Sequence, residues 1–170
     1  MKKIILSAFV LACFALNSNA QATATATATA TIVTPISISK TADMNFGNVA
    51  VSASTSGTVI LAPAGTRTTG GSGGVTLPAT TGTVTAAAFT VNGNGSYTYA
   101  ITLPGSAVTL TRASGSETMT ATSFTSTPNG TGTLSSGTQN LTVGATLNVA
   151  AGQVAGVYTS GNFNVTVNYN

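Results

Sequence analysis

From Phe163 to the C-terminus, apolar and polar residues alternate without a break: Phe163, Val165, Val167 and Tyr169 against Asn162, Asn164, Thr166, Asn168 and Asn170. A period of two sends successive side chains to opposite faces, which only a strand with one buried face can use. No stretch after residue 20 has helical spacing. Thr, Val, Ser, Gly and Asn dominate, and the Glu, Lys, Arg, Leu and Gln that fill helical surfaces are few.

Shorter runs of the same kind predict strands at residues 44–51, 58–61, 75–77, 107–111, 118–124, 139–143 and 145–149. Phe89 and Val91 lead into Asn92-Gly93-Asn94-Gly95, and Tyr97, Tyr99, Ile101 and Leu103 alternate out of it. Asn-Gly pairs adopt positive φ at little cost, so this reads as a hairpin. Residues 70–74 (GGSGG) present one side chain among four glycines and read as a flexible loop. Strands this short and this evenly punctuated predict an all-β chain: one antiparallel sandwich of roughly seven to ten strands, with no helix outside the leader.

The leader is residues 1–20. Lys2 and Lys3 form a positive start, residues 4–16 are an apolar run too short to span a bilayer comfortably, and Ser18-Asn19-Ala20 supplies small residues for cleavage before Gln21. An uncleaved anchor and a lipoprotein site at Cys13 are the alternatives. Cleavage leaves no stable membrane span and removes the only cysteine, so an exported chain must then hold together by packing and backbone pairing without disulfides.

What remains is nearly uncharged: Lys40, Arg67 and Arg112 against Asp43 and Glu117, one net positive charge, with no His. No cluster exists from which to build a metal site, no basic stripe for nucleic acid, and no nucleophile–base pair beyond a serine with Lys40. Asp43 and Glu117 read as solvated surface acids rather than as a glycosidase pair. The chain therefore reads as non-enzymatic, with no cofactor and no nucleic-acid partner.

Residues 21–34 stand apart from the predicted sandwich at 35–170. Ala and Thr repeat from 22 to 31, and the even face continues through Ile32, Ile36 and Ile38. Three readings stay open. The segment is a first strand that frays, a donor strand that completes a neighbour's sheet through Ile32, Ile36 and Ile38, or a Thr array that binds ice. A carbohydrate- or surface-binding module is a further alternative. It would need clustered aromatics, for which Tyr97, Tyr99 and Tyr158 are the candidates, but Tyr97 and Tyr99 share a face with Ile101 and read as core.

Three stretches carry a family resemblance: residues 35–47 (PISISKTADMNFG), 89–104 (FTVNGNGSYTYAITLP) and 144–169 (GATLNVAAGQVAGVYTSGNFNVTVNY). Together they resemble the DUF4402 family of exported bacterial proteins. They are more distantly similar to spore-coat-U-like and archaic chaperone–usher pilin domains, which share an early Asn-Phe-Gly, a Tyr-rich central strand and a Gly-Val-Tyr before the last strand. The family resemblance implies an immunoglobulin-like sandwich at the cell surface with a fimbrial or adhesive role. The pilin resemblance implies polymerisation of copies by donor strand, assembled by a periplasmic chaperone and an outer-membrane usher, with Phe163, Val165, Val167 and Tyr169 as the pilin-like last strand. The disulfide common in related pilins has no counterpart here, and the donor-like segment is Ala-Thr rather than bulky.

Overall fold

A computed structural model describes residues 21–170; the leader reading falls on residues 1–20, outside the described residues. Residues 21–32 enter no strand and every one is exposed. The compact unit Val33–Asn170 is all strand and turn. In chain order it runs β1 (Ser37–Ala42), β2 (Asn45–Phe46), β3 (Ala50–Val51), β4 (Gly57–Leu61) and β5 (Arg67–Gly70). Then come β6 (Val75–Thr76), β7 (Val84–Thr85), β8 (Ala87–Asn92), β9 (Thr98–Thr102) and β10 (Val108–Arg112). The last five are β11 (Thr118–Thr127), β12 (Thr131–Thr133), β13 (Thr138–Val149), β14 (Tyr158–Ser160) and β15 (Thr166–Tyr169).

One 8-stranded antiparallel sheet has the order β1-β8-β13-β11-β10-β14, with β4 and β5 added along the far half of β13. β13 is its spine. Residues 138–143 pair with β8, and residues 145–149 pair with β4. The predicted strands 139–143 and 145–149 are thus one strand. Gly144 sits at the handover, where a Cβ would strike the Leu61 carbonyl, so only glycine lets the end of β4 come this close. Against this sheet lies a second layer made of the three-stranded β12-β9-β15 and two small ribbons, β2–β7 and β3–β6. The result is an antiparallel sandwich.

The predicted hairpin is not one. β8 belongs to the large sheet and β9 to the small one, so residues 92–97 cross between layers. Gly93 and Gly137 explain why: each donates its N–H to a carbonyl on the other segment, Gly93 to Gly137 and Gly137 to Gly95, both at 2.8 Å. The Asn94 N–H goes to the Tyr169 hydroxyl at 2.6 Å. These bonds satisfy the turn's backbone from outside, and Asn-Gly propensity alone does not choose the partner.

Three other expectations change. Residues 44–51 split into β2 and β3 around Gly47, whose φ of +68° turns the chain. The GGSGG run is held rather than free: Gly74 donates to Ser56 at 3.1 Å and accepts from Ser52 at 2.8 Å, and a Cβ there would meet the Thr55 carbonyl. The described residues form fifteen strands rather than the expected seven to ten, in part because β5, β7, β12 and β14 carry too few apolar residues to announce themselves.

Two apolar clusters fill the sandwich. One joins Val59, Leu61, Leu147 and Val149 to Phe46 and Val75 of the ribbons. The other joins Val91, Leu141 and Val143 to Tyr99, Leu134 and Val167. The turn from β10 to β11 is closed by charge. Arg112 Nε and Nη2 reach the two Glu117 carboxylate oxygens at 2.7 and 3.3 Å, so Glu117, read as a solvated acid, is ion-paired. The hydrogen bond from Arg112 is the main reason that the Glu117 carboxyl titrates below its ordinary range. A depressed carboxyl stabilises the fold above its unfolded pKa and loses that contribution as pH falls through the folded value. The urea midpoint is therefore expected to drop on acidification through and below the ordinary carboxylate range. In Glu117→Gln most of that pH dependence should vanish; an unchanged profile would assign it elsewhere.

Candidate functional site, an open apolar groove

The inner face of the large sheet is not evenly covered. Along β4 and β13 the inward residues are buried, whereas Val108 and Leu110 of β10 and Met119 and Phe124 of β11 are only half-buried. Phe124 points inward because a bulge intervenes: the β11–β13 register shifts between Thr122 and Thr125, with Ser123 at φ 49°. The exposed remainder forms the floor of a groove of about 1220 Å³. Its walls are residues 42–51 on one side and residues 153–164 on the other, with Ala87, Phe89, Leu147 and Val149 completing the base. Among the described residues no strand of the second layer lies between these walls.

Residues 162–165 alternate exposed and half-buried, yet among the described residues the backbone of 161–165 joins no ladder. The opposite wall is held by Arg67, whose guanidinium donates to the carbonyls of Phe46, Asn48 (2.6 Å) and Thr81 (3.3 Å). One cation gathers three carbonyls around Gly47, where any side chain would strike the Thr81 carbonyl. Nothing in the sequence around Arg67 signals this role, because its partners lie 14 to 21 residues away.

The structure separates the residues picked out as a group. Phe163 lines the groove and packs on Phe124, ring centres 5.3 Å apart. Val165 is half-buried and Val167 buried, so the alternation read from the last residues holds over 163–169, although ladder pairing begins only at Thr166. Tyr169 is half-buried, and its hydroxyl donates to the Thr34 carbonyl at 2.9 Å. Ile36 and Ile38 turn into the chain's own core beside β8, since β1 pairs with β8 in the same chain. Ile32 is different, at 93% exposed. The Ala-Thr run forms no strand and so no Thr ladder.

The three tyrosines do not form one patch. Tyr99 is fully buried, its hydroxyl donating to Gln139 Oε1 at 2.8 Å. Tyr97, expected in the core with it, precedes β9 and is 46% exposed, standing edge-on to Tyr169 at 5.6 Å. Tyr158 bonds to Gln153 and the Val154 carbonyl. Lys40 and Asp43 form an exposed pair at 2.6 Å near one mouth of the groove.

The profile of a domain of unknown function, DUF4402, matches residues 36–169. The chain belongs to the DUF4402 family. No curated protein and no solved structure matches it. The DUF4402 domain begins at Ile36, the first residue of the extended segment to enter the core, and takes in both walls of the groove. Among the described residues of this DUF4402 protein, no helix is long and apolar enough to cross a membrane.

Proposed function

We propose that this DUF4402 protein is a non-enzymatic, exported structural or adhesive subunit of the cell surface, fimbrial in type, whose copies join by β-strand addition. The groove carries the reading. At about 1220 Å³ it exceeds the ordinary range for small-molecule sites, its floor is apolar, and residues 161–164 along one wall join no ladder among the described residues. Those are the requirements of strand addition: main-chain hydrogen bonds supply affinity, and alternate side chains supply fit. The strand that fits is residues 21–34 of another copy. They repeat with period two and carry Ala22 to Ala30 and then Ile32 on one face; residues 21–32 are all exposed, and none of 21–34 enters a strand among the described residues.

In this reading Ile36 and Ile38 anchor the domain that lends the strand, and Ile32 with the alanines fills the domain that receives it. A periplasmic chaperone would cover the groove before assembly and an outer-membrane usher would exchange it for the next copy, which is what the distant sequence resemblance to archaic pilins implies. The near-absence of charge favours close neighbours, because little repulsion opposes stacking of copies. A gel of material sheared from producing cells tests it. Unboiled samples should show a ladder of multimers containing this chain that collapses to monomer on boiling, whereas monomer in both lanes would sink the reading.

A further inference from the structure

β13 gives the domain two distinct ends, about 35–40 Å apart for a strand of 12 residues. At its start Thr138 pairs with Asn92, which pairs with Ser37. This end holds Tyr97, Tyr169 and the Thr34 carbonyl that the Tyr169 hydroxyl fixes, so the extension leaves the domain here. At the other end Val149 pairs with Gly57, and Thr111 pairs with both Thr118 and Thr159. That end carries the loop before β14, where Val157 is 71% exposed and Val154 is 43% exposed.

This loop is braced. Gln153 donates to the Thr118 carbonyl at 3.2 Å and to the Tyr158 hydroxyl at 2.8 Å, which donates in turn to the Val154 carbonyl at 2.7 Å. Ala113 holds the Val157 carbonyl at 2.9 Å. Two valines are thus presented to solvent on a fixed support at the mouth of the groove. The adjacent cation, Arg112, is already neutralised by Glu117. A braced, neutral, apolar lip fits a neutral aromatic partner. The opposite end of the same molecule offers one in Tyr97, exposed and standing against Tyr169.

We infer that these two ends are the halves of one contact: the Tyr97–Tyr169 end of one copy seats on the Val154–Val157 lip of the next while its extension enters the groove behind the lip. The inference rests on strand addition between copies and specifies its geometry. A contact between unlike surfaces at opposite ends is heterologous and leaves a free end after every addition, so copies grow into an open head-to-tail chain.

The test uses the full chain with Cys13→Ser, which removes the native thiol, and adds Tyr97→Cys and Val157→Cys together or singly. Intact cells are treated with a short bis-maleimide, and sheared material is boiled and probed. The double variant should give a ladder that survives boiling, and each single variant should give monomer. A double variant whose unboiled ladder collapses fully on boiling would overturn the contact while leaving polymerisation standing. Crosslinked dimer from either single variant would overturn it in favour of a symmetric arrangement. Loss of the ladder in the unboiled, untreated parent would instead strike strand addition itself. As a second measurement, Val157→Asp on this exposed side chain should leave the urea midpoint unchanged and remove most of the multimers; an undiminished ladder would exclude the lip.

Discussion

Tyr99→Ala is expected to lower the stability of the domain by about 3–5 kcal/mol, the range for emptying a buried aromatic site. Domains of this size are stable by about 5–15 kcal/mol, so the variant should unfold at much lower urea or fail to accumulate. Tyr99 has no exposed surface, packs among Val91, Leu134, Leu141 and Val167, and lies against Gly132, where a Cβ would collide with its ring. The neighbours cannot collapse into the space, because β9 is paired on both sides, to β12 and to β15. Tyr99→Phe separates ring from hydroxyl. It removes the bond to Gln139, whose oxygen still accepts from the Thr133 N–H at 3.0 Å, so the expected cost is about 1 kcal/mol. Urea denaturation of the three proteins checks both figures. Equal losses in the two variants would show that the hydroxyl, not the ring, holds the small sheet to the large one.

Deletion of residues 22–32 should abolish the surface multimers and leave the urea midpoint of the monomer unchanged. The two halves of this expectation come from different observations. Stability is spared because every deleted residue is exposed and none is in a strand. Polymerisation is lost because strand addition then has no donor. A synthetic peptide of residues 21–34 supplies the converse. Added to the deleted protein at about 100 times its dissociation constant, it should stabilise the fold by about 2.7 kcal/mol through mass action. A peptide without effect, or a deleted protein that still forms the ladder, would remove the extension from the mechanism and leave the groove for some other strand.

The core was legible where alternation was long. The run from Phe163 to Tyr169 reads as inward and outward residues because a strand's side chains obey a period of two whatever pairs with it. The hairpin at residues 92–95 misleads for the complementary reason. Turn chemistry sets local φ, but Gly93, Gly137 and Tyr169 take the hydrogen bonds that decide the direction of the next strand. Alternation groups Tyr97 with Tyr99 only when it is carried past the first paired residue of β9, Thr98, and Tyr97 lies outside that strand.

Fold class, family and poverty in charge are written along the chain, since each rests on residue types and on neighbours in sequence. The groove exists only once distant segments have packed. An open face on β10 and β11 arises from where the second layer stops, and that depends on Arg67 gathering carbonyls from Phe46, Asn48 and Thr81 and on the bulge that turns Phe124 inward. Such a gap is a property of pairings between distant segments. It leaves no pattern in any one of them.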